Sequence, residues 1–152
     1  MVRKARVADV VLIQKMLRDF ADAGSLLARS LSELYTTLRD MVVYENEDDG
    51  IVGCCALHIL WDDLAEIRSL AVLEPYRRRG IGRALVESCV SEAGELGLNR
   101  VFTLTYEVEF FQSLGFRTVD KNMFPQKVWW DCHNCPKFPN CDESALVLDI
   151  SA

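Results

Sequence analysis

The chain has 152 residues, of which 50% are hydrophobic, and its formal net charge at pH 7 is −6. A chain of this length and apolar content fits one folded domain and excludes a disordered protein. The acidic balance argues against nonspecific nucleic-acid binding, and no apolar run approaches the roughly 20 residues that a membrane span requires.

The spacing of apolar, turn-forming and helix-capping residues predicts alternating strands and helices. Asp9 is expected to cap the first helix and Gly24 to end it, while Ser30 and Glu33 form a capping box that opens the second. The predicted elements, in chain order, are a strand over residues 3–7, a helix from 9 to about 23, a helix from 30 to about 39, strands over 41–45, 51–61 and 65–72, a helix from 81 to about 96, a strand over 101–104, a helix over 108–114, and strands over 116–119 and 145–150. This order predicts a single α/β domain over residues 1–152, with a mixed central sheet flanked by helices and the last strand at its edge.

Three cysteines are expected to be packed in the core. Cys54 and Cys55 stand inside an apolar strand, and Cys89 lies on the apolar face of the helix predicted to begin at residue 81. A free cysteine behaves as a small buried hydrophobe, so packing is the expected role of these thiols. The apolar face of that helix is formed by Ile81, Leu85, Cys89, Ala93 and Leu96.

The other three cysteines lie in an aromatic, cysteine-rich segment over residues 124–142. The candidate metal ligands there are Cys132, Cys135 and Cys141, with His133, Asp131 or Asp142 as a fourth. Structural zinc takes four ligands, commonly as two close pairs, so this spacing is a weak zinc signal and plain thiols are the favoured interpretation. The basic start of the chain has no apolar stretch behind it, which predicts a cytoplasmic, reducing location and disfavours a disulfide.

The loop before residue 81 has the composition of an anion-binding site. It contains the consecutive arginines at residues 77–79 and Gly80, and the helix that follows begins with Ile81, Gly82 and Arg83. The first N–H groups of a helix have no partner within it, and glycine allows a pyrophosphate to approach the backbone. A dinucleotide fingerprint would need a glycine where Leu85 stands, and the Gly-Lys-Ser/Thr phrase of a P-loop is absent. A glycine-rich turn with solvated arginines is the remaining alternative.

Two phrases of the sequence resemble the GNAT family of acetyltransferases. One, Arg77-x-x-Gly80-x-Gly82 preceded by Leu70-Ala71-Val72-x-x-x-Tyr76, is similar to the acetyl-CoA signature of that family. The other, Phe110-Phe111-x-x-Leu114-Gly115-Phe116, is similar to its second hallmark. The resemblance covers nearly the whole chain and implies a GNAT-like fold with acetyl-CoA as co-substrate.

The resemblance also implies which residues contact acetyl-CoA. The backbone of Leu70, Ala71 and Val72 is expected to pair with the pantetheine arm, and an N–H group near Val72 to polarise the thioester carbonyl. The residues expected to hold the pyrophosphate are Arg77, Arg78, Arg79, Gly80, Ile81, Gly82 and Arg83.

Glu66 is the candidate general base. Acetyl transfer requires a neutral amine, so a base must take the proton of the amine directly or through water. The resemblance implies Glu66 because it stands on the strand that leads into the loop; the alternative is a solvent-facing carboxylate paired with Arg68. Many GNAT enzymes have a tyrosine that protonates the departing thiolate, where this chain has Phe111. The general acid is left unassigned between Tyr106 and water.

A narrower resemblance concerns the acceptor amine. The runs Leu26-Leu27-Ala28-Arg29-Ser30-x-x-Glu33-Leu34 and Phe102-Thr103-Leu104-Thr105 are similar to bacterial N-acetylglutamate synthases, especially to their short, single-domain form. This implies L-glutamate as substrate and arginine biosynthesis as pathway. It also implies that Arg29 binds a substrate carboxylate, with Arg68 as a second candidate; the alternative for Arg29 is a solvated arginine at a helix start.

Other acceptors and other roles stay open. The long enzymes have a further substrate arginine where this chain reads Thr105-Tyr106-Glu107, so glutamine or a related amino acid is an alternative. So are a polyamine, a protein N-terminus and a non-catalytic acetyl-CoA-binding module. His58 lies in an apolar strand and is expected to be structural. A small-molecule amino-acid substrate is expected without nucleic acid or membrane, and a homodimer is compatible with the sequence.

Overall fold

The computed structural model describes residues 1–22, 29–124 and 143–150, and its elements follow the predicted order. The helices are α1 (Val10–Asp22), α2 (Leu31–Thr36), α3 (Ile81–Glu95) and α4 (Val108–Ser113). The strands are β1 (Val2–Lys4), β2 (Met41–Asn46), β3 (Gly50–Trp61), β4 (Leu64–Val72), β5 (Arg100–Thr105), β6 (Arg117–Val119) and β7 (Ser144–Asp149). Short 3-10 turns occupy Val7–Asp9, Leu38–Asp40, Glu74–Tyr76 and Lys121–Met123.

These strands form one mixed sheet in the order β1-β2-β3-β4-β5-β7-β6. The antiparallel pairs of neighbouring strands are β1–β2, β2–β3, β5–β7 and β6–β7. β4 and β5 are parallel, with Ala65 opposite Val101 and Glu66 opposite Phe102. The predicted α/β class and mixed sheet are confirmed. The predicted edge position of the last strand is wrong, because β7 pairs on both sides and buries its central residues.

The chain divides into two compact units, each with a core of its own. The first unit comprises Met1–His58 with Ile67–Glu92, and the second Ile59–Glu66 with Ala93–Ala152. The buried cluster of the first consists of Val10, Ile13, Met16, Leu17, Leu34, Met41, Val43, Cys54, Ala56 and Ala71. The buried cluster of the second consists of Leu64, Phe102, Phe124, Ala145 and Val147. Burial of each large apolar side chain stabilises its unit by about 1.5–3 kcal/mol.

The first strand is shorter than predicted because Asp9 turns the chain. Its carboxylate accepts a hydrogen bond from the N–H of Arg6 at 2.7 Å, so residues 7–9 form a 3-10 turn instead of extending the strand over residues 3–7. The same carboxylate accepts two hydrogen bonds from the guanidinium of Arg3, at 2.8 and 3.2 Å. Asp9 is therefore a buried anchor between β1 and α1.

The second helix begins as predicted and ends earlier. The hydroxyl of Ser30 accepts the N–H of Glu33 at 3.1 Å, which confirms the predicted start. The hydroxyl of Thr37 donates to the carbonyl of Glu33 at 2.7 Å, and this bond caps the helix after Thr36, before the predicted end near residue 39. The predicted end of α1 near residue 23, including Gly24, lies outside the described residues.

The apolar face predicted for α3 is confirmed except at its end. Ile81, Leu85, Cys89 and Ala93 are buried, but Leu96 is 56% exposed and follows the last helical residue. Gly97 has φ = +86° there, and the N–H of Leu98 donates to the carbonyl of Ala93 at 2.9 Å, the geometry of a glycine-terminated helix. No helix within the described residues is long and apolar enough to cross a membrane.

We expect the anchor at Asp9 to make the protein sensitive to acid. The hydrogen bond from Arg3 holds the pKa of Asp9 below its ordinary value of 3.8, so the unfolded chain takes up this proton more readily than the folded one. The resulting stabilisation is present above pH 3.8 and is lost as the pH falls through the depressed pKa of the folded state. Asp9→Asn should lower the free energy of unfolding at neutral pH by roughly 1.5–3 kcal/mol and flatten its decline in acid.

Urea unfolding at several pH values between neutral and strongly acidic measures both effects. Asp48→Asn, in the exposed turn between β2 and β3, is the matched control and should leave the pH profile unchanged. An Asp9→Asn profile that declines in acid as steeply as the native one would show that Asp9 is not the group responsible.

Candidate active site

Strand β4 becomes irregular at Ser69. Residues 65–68 alternate between buried and half-buried, as expected of a strand, but residues 69 and 70 are both half-buried and residues 71 and 72 both buried. Ser69 has φ = +57°, a left-handed conformation that costs a non-glycine residue on the order of 1 kcal/mol or more. The carbonyl of Ser69 accepts a weak hydrogen bond from the thiol of Cys54, with an Sγ–O distance of 3.4 Å. The irregularity thus stands just before residues 70–72, the segment expected to pair with the pantetheine arm.

The loop after β4 contains two left-handed residues. Arg78 has φ = +64° and Gly80 has φ = +81°. A Cβ atom on Gly80 would meet nothing within 4 Å among the described residues, so the backbone conformation, and not crowding by the protein, favours glycine. The open space beside Gly80 is what an anion approaching the backbone needs.

Helix α3 directs its first N–H groups toward this loop. The N–H of Ala84 donates to the carbonyl of Gly80 at 3.0 Å and forms the first intrahelical bond. The N–H groups of Ile81, Gly82 and Arg83 precede that bond and have no acceptor within the helix. With the positive end of the helix dipole, they provide donors suited to a phosphate.

The start of α3 packs closely against β3 at Gly53. A Cβ atom there would come within 3.1 Å of Leu85, 3.2 Å of the carbonyl of Ala71 and 3.3 Å of Ile81. Such contacts are tighter than ordinary van der Waals distances, so any larger residue would push the helix start or the end of β4 away. Gly53 therefore fixes the start of α3 relative to β4.

Arg77 is attached to the first unit by two contacts. Its Nε donates to the carbonyl of Val72 at 3.1 Å, and its Cζ lies 4.9 Å from the ring centroid of Phe20 on α1. The distances are those of a hydrogen bond and of a cation–π contact. The first arginine of the loop is therefore oriented by the protein.

The remaining loop arginines are exposed at the surface of the first unit. The Cζ of Arg79 lies 5.4 Å from the ring centroid of Tyr76, and Nε of Arg83 is 2.6 Å from a carboxylate oxygen of Glu87, one turn along α3. Arg78 is exposed as well. These cations flank the glycine-containing turn in the chain, and their binding of a pyrophosphate stays a prediction.

Glu66 and Arg68, the two charged candidates on β4, are half-buried. They are two residues apart in the regular part of the strand and so lie on one face of it. Glu66 stands opposite Phe102 of β5 in the parallel pair. The catalytic role of Glu66 and the substrate role of Arg68 stay predictions.

Phe111 is buried in the core, and its side chain has no acidic proton to donate to the thiolate. It is 2% exposed, and its ring meets those of Phe110 and Phe116 edge to face, with centroids 5.0 and 5.2 Å away. Tyr106 is 41% exposed, at the end of β5. The general acid stays unassigned.

Arg29 stands immediately before the capping residue of α2. Its side chain is only 10% exposed, and Nη1 lies 3.4 Å from a carboxylate oxygen of Glu33, which is 54% exposed. The alternative of a solvated arginine is therefore wrong. Residues 23–28, which precede it, lie outside the described residues.

The buried cysteines and His58 have structural surroundings. Cys54, Cys55 and Cys89 are free and buried, as predicted. Burial raises the pKa of the Cys54 thiol to about 12, and a hydrogen bond with Cys89 together with burial raises the pKa of Cys55. Protonated, buried thiols of this kind do not act as nucleophiles. Nδ1 of His58 is 2.7 Å from a carboxylate oxygen of Asp40, which fits the expected structural role.

The proposed zinc ligands cannot be placed. Cys132, Cys135 and Cys141 lie outside the described residues, with most of the segment over 124–142. Among the residues that the structure does describe, no group of His, Cys, Asp and Glu side chains could hold a metal ion. Zinc binding stays a prediction for this segment.

Three residues of the site were missed in the sequence. Gly53 carried a usable signal, since a glycine inside an apolar strand often marks a close approach of another backbone. Ser69 carried none, because serine is not a residue type that favours the left-handed region. The contact of Phe20 with Arg77 joins residues far apart in the sequence, and local patterns do not reveal it.

Comparison with known proteins identifies the family. Residues 13–116 match the model of the acetyltransferase (GNAT) family. The chain is 44% identical over 149 residues to an uncharacterised N-acetyltransferase of Chlorobaculum tepidum, covering 98% of this chain and 96% of that one. It is 41% identical over 121 residues to an amino-acid acetyltransferase of Mycobacterium tuberculosis, covering 78% of this chain and 69% of that one.

Two solved structures have the same fold along the whole chain. The M. tuberculosis protein Rv2747, crystallised in complex with CoA and NLQ, superimposes with a TM-score of 0.87 at 33% identity and 99% coverage of both chains. N-acetylglutamate synthase of Neisseria gonorrhoeae, complexed with coenzyme A and N-acetyl-glutamate, superimposes with a TM-score of 0.89 at 26% identity, covering 100% of this chain and 35% of that one. Because the family match extends from α1 through the arginine-rich loop to Phe116, the chain belongs to the GNAT family and is an acetyl-CoA-dependent N-acetyltransferase.

Proposed function

We propose that this enzyme transfers the acetyl group of acetyl-CoA to the α-amine of L-glutamate, a reaction of arginine biosynthesis. The observation that carries the proposal is the burial of Arg29, whose side chain is 10% exposed beside α2. A guanidinium with so little exposure to water is suited to bind a substrate carboxylate, because the contact is charge-assisted and can be bidentate. The names of the M. tuberculosis relative and the N. gonorrhoeae structural neighbour support the same substrate class.

The residues of the loop fit the pyrophosphate of acetyl-CoA. The N–H groups at the start of α3 supply donors, the open space beside Gly80 admits the phosphates, and Arg78, Arg79 and Arg83 supply charge. The backbone of residues 70–72, just after the irregularity at Ser69, is the segment that we assign to the pantetheine arm. Acetyl-CoA supplies the activated acetyl group.

Glu66 is the group to which we assign the proton transfer. Glutamate arrives as an ammonium, which has no lone pair, and Glu66 accepts its proton directly or through one water. The neutral amine then attacks the thioester carbonyl, and an N–H group near Val72 stabilises the oxyanion. As the C–S bond breaks, the nitrogen loses its second proton to form the amide, and the departing thiolate takes up a proton from Tyr106 or from water, because Phe111 has none to give.

Arg68 is assigned to the second carboxylate of glutamate. It shares a face of β4 with Glu66, so one strand would present both a base for the amine and a cation for the substrate. A planar guanidinium binds a carboxylate through two parallel hydrogen bonds, which also fixes the orientation of the substrate.

Glutamine is the second candidate substrate. The sequence has Glu107 where the long N-acetylglutamate synthases, by resemblance, have another substrate arginine. An anionic residue there favours a neutral side-chain amide over a second carboxylate. We also propose a cytoplasmic location, in which the free thiols of the three described cysteines are expected to stay reduced.

Release of free thiol from acetyl-CoA tests the proposal. With glutamate present, thiol should appear together with N-acetylglutamate, and without an amine the rate should fall to the background. Faster thiol release with glutamine would support the second candidate. If acetyl-CoA binds and neither glutamate nor glutamine releases thiol above the background, the proposed substrate is wrong.

A further inference from the structure

The peptide unit between Val72 and Leu73 is held on both sides at the end of β4. The N–H of Leu73 donates to the carbonyl of Val52 on β3 at 2.9 Å. On the opposite side, the carbonyl of Val72 accepts the Nε–H of Arg77 at 3.1 Å. A peptide bond with both polar groups bound is fixed in direction.

The side chain of Arg77 is itself held in place. Its guanidinium carbon lies 4.9 Å from the ring centroid of Phe20, which packs against the core of the first unit. Its backbone N–H donates to the carbonyl of Glu74 at 3.1 Å and so closes the 3-10 turn of the loop. Backbone and side chain together determine where its Nε–H points.

We infer that Arg77 is a positioning residue: its Nε–H sets the Val72–Leu73 peptide and so aims the end of β4 at the thioester. This inference rests on the proposed function, in which the N–H near Val72 stabilises the oxyanion. The end of β4 needs such support because it follows the left-handed Ser69, where the regular strand pattern breaks. An oxyanion donor acts only when it is correctly placed, so a small displacement lowers the rate.

The competing role for Arg77 is that of a simple positive charge near the pyrophosphate. Two substitutions separate the roles. In glutamine the amide nitrogen is bonded to Cδ, as Nε is in arginine, so Arg77→Gln keeps a donor at the same place and removes the charge. In lysine that place is taken by a methylene group, so Arg77→Lys keeps the charge and removes the donor.

Amide hydrogen exchange measured by NMR tests the inference without any acceptor substrate. We expect the Leu73 N–H to exchange about three- to tenfold faster in Arg77→Lys than in the native protein, and within about twofold of it in Arg77→Gln. Thermal unfolding checks that both variants are folded. If Leu73 exchanges as slowly in the lysine variant as in the glutamine variant, the inference is wrong.

Kinetics provide the second readout. In Arg77→Lys, kcat should fall at least about tenfold while acetyl-CoA affinity changes less, and Arg77→Gln should retain most of its kcat. Arg79 stacks on Tyr76, and its assigned role is to supply positive charge. At this position the lysine variant should therefore be more active than the glutamine variant, the reverse of the order at Arg77. A lysine variant of Arg77 that is as active as the glutamine variant contradicts the inference. Failure of native enzyme to acetylate glutamate would instead contradict the proposed function, and the exchange result would still stand.

Discussion

Replacing Glu66 with glutamine should lower turnover by about 10²–10⁴-fold and leave acetyl-CoA affinity nearly intact. The physical reason is that glutamine cannot accept the proton of the substrate ammonium, although it has the same size as glutamate. The loss should shrink as the pH rises, because more of the amine then arrives neutral. Steady-state kinetics across pH, with calorimetric titration of acetyl-CoA, measure both effects.

The matched control is Glu95→Gln, an exposed carboxylate at the end of α3. It should leave turnover and its pH dependence unchanged. Native-like turnover of Glu66→Gln at neutral pH would leave Glu66 with a structural role on β4 and would require another base.

Replacing Arg29 with alanine should raise the KM for glutamate by about ten- to a hundred-and-fifty-fold, with little change in the KM for acetyl-CoA. A guanidinium–carboxylate contact is charge-assisted, and its loss corresponds to roughly 1.5–3 kcal/mol of binding free energy. The side chain is 10% exposed, so water replaces this contact poorly. Initial rates with each substrate varied in turn separate the two KM values.

Arg39→Ala provides the control, because Arg39 lies in the 3-10 turn shortly after α2 and is exposed. We expect it to keep both KM values. If Arg29→Ala raises the two KM values equally, or neither, Arg29 does not bind the substrate carboxylate.

Features that depend on neighbours in the sequence were predictable. The capping bond between Ser30 and Glu33 and the buried face of α3 from Ile81 to Ala93 follow from helix geometry alone. The turn with Gly80 before α3 was predictable for the same reason, since glycines and a helix start are adjacent in the chain, and its binding of an anion stays a prediction. The predicted burial of Leu96 was wrong because α3 ends at Glu95, ahead of the left-handed Gly97, whereas the apolar pattern of the sequence continues to Leu96.

Features that depend on contacts between distant residues were not predictable. The guanidinium of Arg3 holds the carboxylate of Asp9 that turns the chain after β1, and its hydrogen bond to Glu45 joins the first residues of the chain to β2. The left-handed conformation of Ser69 was not predictable either, because nothing in its residue type favours it. The position of β7 between β5 and β6 likewise arises from tertiary pairing.

A competition assay tests the assignment of glutamate most directly. The native protein is incubated with acetyl-CoA and an equimolar mixture of the common amino acids and polyamines, and the acetylated products are measured by mass spectrometry at early times. We expect N-acetylglutamate to dominate, and to lose that dominance in Arg29→Ala. A product mixture dominated by N-acetylglutamine, or by an acetylated polyamine, would contradict glutamate as the substrate.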